Sequence, residues 1–275
     1  MKTAKAVPVL MYHHVSPKPG LVTVAPATFR AHMETLVNDG YSAVAADDFL
    51  NFLLGRNDLP PKSVLITFDD GYLDNYVHAY PILRELGLRA TIFAVTGWIG
   101  DGPARNCAGE GGESPLCLDH RACMTAIAEG RADETMLRWS EIEAMEASGA
   151  VEIHSHTHTH TRWDKVISDP SARRDALAGD LARSRDTLRQ RLGRETRHLC
   201  WPQGYFDDDY VTVAGKLGFE ALYTTLKHVN TRHTPPHDIG RIVTKDRSDN
   251  WLSRRLSIYS SPLLGRLYTA MRGEK

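Results

Sequence analysis

Three short stretches carry residues whose types and spacing suit hydrolytic chemistry. The first is Val64-Leu65-Ile66-Thr67-Phe68-Asp69-Asp70-Gly71, an apolar run that ends abruptly in two adjacent carboxylates. A strand buried on both faces reads as a continuous apolar run, so charges at its end belong at the rim of a sheet. Successive side chains of a strand point to opposite faces, and Asp69 and Asp70 face different surroundings unless the backbone turns there. One is then placed to hold a metal and the other is free to move protons. The plain alternative is an aspartate pair opening a loop before a helix.

The second stretch is Val151-Glu152-Ile153 followed by His154, His156, His158 and His160 alternating with Ser and Thr. Imidazole is the commonest metal-binding side chain near neutral pH. In a helix His156 and His160 share a face, whereas in extended chain all four histidines do. Either geometry makes a two-histidine clamp, and adding one carboxylate leaves positions open for water and substrate. A solvated histidine-rich loop is the alternative. The third stretch, Leu199-Cys200-Trp201-Pro202-Gln203-Gly204-Tyr205, runs a short apolar strand into a Pro-x-Gly turn. Such a turn exposes backbone N–H groups for an oxyanion, or simply reverses the chain.

These stretches need a frame to bring them together. At 275 residues the chain suffices for one large α/β domain. Apolar runs recur as VPVLMY, SVLITF, ATIFAV, VEI, HLCW, EALYTT and IGRIV, separated by helix-like segments at 28–38, 74–86, 139–148, 171–192 and 208–217. In 171–192, Leu177, Leu181, Leu188 and Leu192 fall on one helical face. Alternating strands and helices argue for a parallel sheet with covering helices, whose chemistry sits at the carboxyl ends of the strands. Each candidate follows a strand: His13 after the first, then Asp69 and Asp70, then His156, then the Pro-x-Gly turn. A net charge of −1 gives no long-range pull towards nucleic acid.

Together the three blocks resemble the polysaccharide deacetylase superfamily (carbohydrate esterase family 4, the nodulation-deacetylase homology domain). TFDDGY matches its first motif and SHTHTH its second, while WPQGY occupies the place of its third; VLMYHHVSP, LRELGLRATIFAVTGWIG and TTLKHVN…IGRIV agree with the framing segments. The resemblance spans roughly residues 7 to 246 and is nearest to poly-N-acetylglucosamine N-deacetylases. It implies an α/β fold, a distorted (β/α) barrel of about seven parallel strands with covering helices. It implies Asp69 as general base, Asp70, His156 and His160 as metal ligands, and the amide of Gln203 as oxyanion donor. Tyr72, Trp201, Pro202, Gly204 and Tyr205 are expected to line the substrate groove. The implied cofactor is one divalent metal ion, zinc by first expectation, with cobalt, nickel or iron also accepted by two histidines and a carboxylate.

The chain departs from the family pattern where Cys200 replaces an Arg that orients the catalytic aspartate, and where Gln203 replaces an aromatic residue. Arg241 is the candidate substitute for that Arg. No late Leu-x-His motif supplies the acid; His13, His14, His158, His228, His233 and His237 are the options, with His13 favoured because it directly follows the first strand. Two other readings stay open, an amidohydrolase opening a small cyclic amide or imide and an inactive sugar-binding module. A third, an oxygenase using the same metal triad, fits less well beside the free carboxylate of Asp69.

Residues 1–246 are expected to form the catalytic domain, with 100–137 as an insertion at its rim. That insertion holds Cys107, Cys117, His120 and Cys123, read as reduced thiols, a Cys107–Cys117 disulfide in an oxidising compartment, or a structural zinc site. Residues 247–275 form a basic amphipathic tail, with Trp and Leu interleaved with Arg. It is suited either to peripheral contact with an anionic membrane or to packing on the barrel. The first strand begins too early for a secretory segment, so a cytoplasmic location is expected, peripheral to the inner membrane face if the tail binds lipid. The expected substrate is a glycan or a lipid- or nucleotide-linked amino sugar.

Overall fold

The computed structural model describes residues 3–271; the first two residues of the expected catalytic domain and the last four of the basic tail lie outside them. The apolar runs form strands β1 (Val9–Tyr12), β2 (His14–Val15), β3 (Thr23–Val24), β4 (Ser42–Ala43), β5 (Ser63–Asp70), β6 (Ala90–Ala94), β7 (Val151–Ser155), β8 (His198–Cys200), β9 (Ala221–Tyr223) and β10 (Ile242–Val243). Seven run in the order β10-β1-β5-β6-β7-β8-β9 with parallel pairing throughout, and β4 adds beside β5. Ile239 bridges to Tyr223 of β9 while Ile242 and Val243 pair with Leu10 and Met11 of β1. One short stretch, 239–243, thus touches both edges and closes a distorted barrel.

Alternation along β5 sorts the core into two layers. Val64, Ile66 and Phe68 face outward onto Phe29, Met33 and Leu36 of helix Pro26–Asn38. Leu65 faces inward, packing with Phe93, Cys200 and Tyr223, and helix Ala46–Leu53 plugs this inner cluster with Phe49, Leu50 and Phe52. Asp69 shares the inward phase of Leu65 and Thr67. By strict alternation Asp70 would face the helices. Its φ of 73°, followed by 85° at Gly71, turns the chain so that both carboxylates open onto the mouth of the barrel.

The expected helix at 74–86 divides into a π-helical turn, Asn75–Ala79, and an α-helix, Tyr80–Glu85. Pro81 has no N–H to continue the ladder, and the Val77 carbonyl instead accepts the Ala108 amide from the segment 100–137, the expected insertion, at 2.9 Å. The rest of the insertion is held by buried Glu141, which takes the Arg105 guanidinium at 2.7 and 2.8 Å. Its end bonds the loop after β5: Leu73 N–H to Thr135 O and Leu137 N–H to Gly71 O. The insertion therefore rests directly beside Asp70. Its cysteines are free and buried, each Sγ directed at a different carbonyl, of Tyr76, Pro115 and Leu118. Among the described residues they form neither a disulfide nor a convergent metal-ligand group with His120.

The first half of the tail packs on the barrel, as one of its two expected roles required. Helix Asp249–Tyr259 buries Leu252, Leu256 and Tyr259 in the main core, with Trp251 stacked near His32 of Pro26–Asn38. Helix Pro262–Met271 buries Gly265 and leaves Leu263, Leu264, Leu267 and Met271 exposed. No helix among the described residues is long and apolar enough to cross a membrane.

Candidate active site

Side chains from five strand ends meet at the mouth of the barrel. Asp69, at the end of β5, is 3 % exposed, and Arg241 from the closing stretch grips it end-on, Nη1 to Oδ1 at 2.6 Å and Nη2 to Oδ2 at 2.8 Å. Arg241 is itself buried. It also donates from Nε to the Thr224 carbonyl and contacts Cys200 Sγ at 3.0 Å. The guanidinium thus arrives from the residue just before β10 at the carboxylate that neighbours Cys200. Burial alone would raise the Asp69 carboxyl, but the charges of Arg241, His156 and His13 outweigh it and hold it below the ordinary carboxylate value. Each oxygen keeps further acceptor capacity beyond the Arg241 bonds.

Asp70, His156 and His160 converge beside it. The Nε2 atoms of His156 and His160 lie 3.3 and 3.4 Å from Asp70 Oδ1, which is buried and has no hydrogen-bond partner among the described residues. His156 Nδ1 sits 2.8 Å from the Cys200 carbonyl, which fixes Nδ1 as donor and turns the Nε2 lone pair inward. Burial disfavours charge on His156, yet the Cys200 sulfur and the Asp70 and Asp69 carboxylates outweigh it and raise the ring well above its ordinary value. The field here favours positive charge, whether carried by a proton or by a metal ion. Burial pushes His160 down to about 4, so its ring is neutral and able to donate a lone pair. An orphaned carboxylate oxygen between two imidazoles fits a divalent cation. Asp69, His156 and Cys200 also lie within ligand spacing, but Arg241 already occupies both Asp69 oxygens and the sulfur, so that set is the weaker fit.

The backbone is strained where these groups are aimed. Asp70, Thr157, His160 and Gln203 all take positive φ (73°, 68°, 58° and 56°) without being glycine. This region is costly for residues with a Cβ and gathers at sites that over-determine geometry. Asp180 supports the histidine turn by accepting the amides of His158 and Thr159 at 3.0 and 2.9 Å.

His13 lies across the mouth, Nε2 3.8 Å from Asp69 Oδ2, with its side chain 19 % exposed. Burial lowers its pKa, which biases the resting ring towards its neutral form. The other histidines are placed differently. His158 bonds Thr96 and His228 pairs with Asp238. His233 and His237 are exposed on a segment tied to the amino ends of the strands, where Asn230 meets Val7 and Arg232 meets Asp58.

Three residues expected in the substrate groove are covered instead. Trp201 and Pro202 are buried, Trp201 against Leu177, Leu181 and Tyr210, because the apolar strand continues under helices Pro170–Leu192 and Asp208–Lys216. Tyr72 is 1 % exposed and stacks on His14 at 3.7 Å between ring centroids. Gly204 and Tyr205 remain at the surface, with Arg162 over the Tyr205 ring at 3.9 Å and bonded to Gln203 Oε1 at 3.3 Å. Gly204 is required where it stands: a Cβ there would come within 2.2 Å of Thr225 Oγ1.

Two polar networks were not foreseen. Asp74, whose only sequence signal is a charge following GYL, holds buried His14 at 2.6 Å, and His14 Nε2 meets His120 Nδ1 of the insertion at 3.2 Å. Deeper in the barrel, His154 and His198 lie 4.5 Å apart, His198 bonds Asp47 at 2.9 Å, and Glu152 accepts the Ala46 amide and the Thr91 hydroxyl at 2.6 and 2.8 Å. Burial raises the Glu152 carboxyl, but His154 and these donors prevail and bring it down to about 2. A depressed folded-state pKa contributes stability above the unfolded value that is lost as pH falls towards 2. Glu152→Gln is therefore expected to cost about 1–3 kcal/mol at neutral pH, with the gap to wild type shrinking below pH 4. Urea melts at several pH values would show it, and a gap independent of pH would refute the charge-based account.

The polysaccharide deacetylase family model matches residues 56–222. The Bacillus subtilis (strain 168) protein YxkH, provisionally named a polysaccharide deacetylase, is 43 % identical over 99 residues, covering 36 % of this chain and 35 % of its own length. A poly-β-1,6-N-acetyl-D-glucosamine N-deacetylase of Staphylococcus aureus (strain MSSA476) is 23 % identical over 235 residues, 85 % of this chain and 71 % of that one. Among solved structures, IcaB from Ammonifex degensii has a TM-score of 0.73 at 24 % identity, covering 94 % of this chain and 98 % of its own. The Streptococcus pyogenes deacetylase PplD in complex with acetate has 0.73 at 22 %, covering 92 % and 99 %. At these identities the structural matches bear on the fold: a barrel of parallel strands with covering helices.

Proposed function

Because the chain belongs to the polysaccharide deacetylase family, we propose that it is a metal-dependent hydrolase that removes N-acetyl groups from an amino-sugar glycan or glycan precursor. The observation that carries this reading is the juxtaposition at the mouth. A carboxylate kept charged by Arg241 stands beside an unpartnered Asp70 oxygen framed by two imidazoles.

Asp70, His156 and His160 would hold the metal. When bound, the ion would polarise the acetyl carbonyl and acidify the attacking water. Asp69 takes the proton of that water as its oxygen adds to the carbonyl carbon. Arg241 keeps Asp69 ionised and fixes its plane. The backbone N–H at Gln203, in the strained turn, would donate to the developing oxyanion. His13, 3.8 Å from Asp69, relays the proton taken from water to the departing nitrogen as the C–N bond breaks, leaving acetate and a free amine. Zinc suits the two-nitrogen, one-oxygen set, as do cobalt, nickel and iron. The polymer in the name of the Staphylococcus aureus relative makes N-acetylglucosamine oligomers the first substrate to try.

The test is elemental analysis of the purified protein together with acetate release from N-acetylglucosamine oligomers, before and after chelation. One divalent ion per chain is expected, with acetate release abolished by its removal and restored by zinc or cobalt. Metal-replete protein that binds no ion, or activity indifferent to chelation, would overturn the proposal.

A further inference from the structure

The two C-terminal helices carry features that the deacetylase chemistry does not use. Helix Pro262–Met271 is seated through Gly265, where a Cβ would come within 2.0 Å of Val229. That seating turns Leu263, Leu264, Leu267 and Met271 outward, 69, 52, 54 and 87 % exposed. At spacings of one, four and eight residues they share one helical face. A cavity of about 440 Å³ runs between this helix and Asp249–Tyr259, walled by Trp251, Ile258 and Tyr268 and rimmed by Arg254 and Arg255. Lys245 and Arg247 line an adjoining cavity of about 330 Å³.

The charge around the apolar face is one-sided. Residues 245–271 contain five cations and two carboxylates, and Asp246 is engaged with the Ala25 amide. Among the described residues no carboxylate pairs with Lys245, Arg247, Arg254 or Arg266. Arg255 is held in place over Trp251 and Tyr268, 5.5 and 4.7 Å from their ring centroids. A second copy on a two-fold axis would set these cations against one another. A bilayer rich in anionic phospholipid offers both complements at once, phosphates for the arginines and acyl carbon for the leucines.

We propose that this C-terminal face docks the protein on an anionic phospholipid surface. Leu263, Leu264, Leu267 and Met271 enter the headgroup boundary, and the cavity bordered by Arg254 and Arg255 receives a lipid phosphate. The docking does not depend on the sugar chemistry and would stand if the hydrolytic reading failed.

Flotation with phosphatidylglycerol–phosphatidylcholine vesicles, against pure phosphatidylcholine, tests it on the full chain. Wild type is expected to float only with the anionic vesicles, and less as salt is added. The exposed triple variant Leu263→Ser, Leu264→Ser, Leu267→Ser and the charge variant Arg247→Glu, Arg254→Glu should each lower partitioning about tenfold or more, with acetate release from soluble oligomers unchanged. Failure of wild type to float, or equal flotation with both vesicles, overturns the proposal. So would light scattering that finds a wild-type dimer made monomeric by the serine variant, which assigns the face to a second copy.

Discussion

Asp69→Asn is expected to lower kcat for acetate release by about 10²–10⁴-fold, the usual contribution of a positioned general base, while one metal ion per chain is retained. The asparagine keeps the shape of the aspartate and can still accept from Arg241, at a cost in stability because the guanidinium loses its counter-charge; what it cannot do is accept a proton from water. The ligand set lies next door on Asp70, His156 and His160, whose atoms converge without Asp69. KM should stay within a few-fold, because the loss is confined to the transition state. Parallel measurement of acetate release and metal content separates the outcomes. Metal lost with activity would make Asp69 a ligand, and substantial residual activity would move the base elsewhere.

Arg241→Met should produce the largest loss of stability of any single change at the mouth. It leaves Asp69 as a buried carboxylate without its bidentate partner, a defect that costs about 3–5 kcal/mol. The sign with pH follows from the direction of the shift. In wild type the Asp69 carboxyl is held below its unfolded value, so the pair contributes stability above that value and loses it as pH falls through the folded one. In the variant burial is opposed only by His156 and His13, and the carboxyl rises from its wild-type value. The gap between the two proteins is therefore widest near neutrality and narrows on acidification. Activity should respond in the same sense, the acid limb of kcat/KM moving to higher pH. Urea denaturation at pH 7 and pH 4 provides the readout, with Asp69→Asn, Arg241→Met as the control that removes both charges and recovers much of the stability. Equal stability of wild type and Arg241→Met would show that the pair is incidental.

The sheet was legible because each strand is a dense apolar run, and parallel strands buried on both faces must read that way. The expected site residues were legible because charge at the end of such a run has few places to go. What strand periodicity could not reveal is backbone direction. Asp70 leaves the outward phase that alternation assigns it because of one positive φ, and such a φ at an aspartate has no compositional mark. Trp201 and Pro202 looked like groove residues from their motif, but helix packing outside the strand covers them. The Asp74–His14–His120 chain was invisible for a different reason: it joins three segments far apart in sequence, and its His120 was read with the neighbouring cysteines instead. Arg241 was reachable only through the missing arginine at position 200, a hole in a pattern rather than a signal of its own.

The stretch 239–243 has a consequence for how the molecule is made. Asp69 and Arg241 are 172 residues apart, and every other strand of the sheet precedes β10, which the arginine adjoins, in the chain. Without this stretch the sheet has an open edge at β1 and β9, and Asp69 lacks its guanidinium partner. Delivery of the last strand zips the edge and neutralises the carboxylate in one event, a contact of very long sequence separation and therefore slow to form.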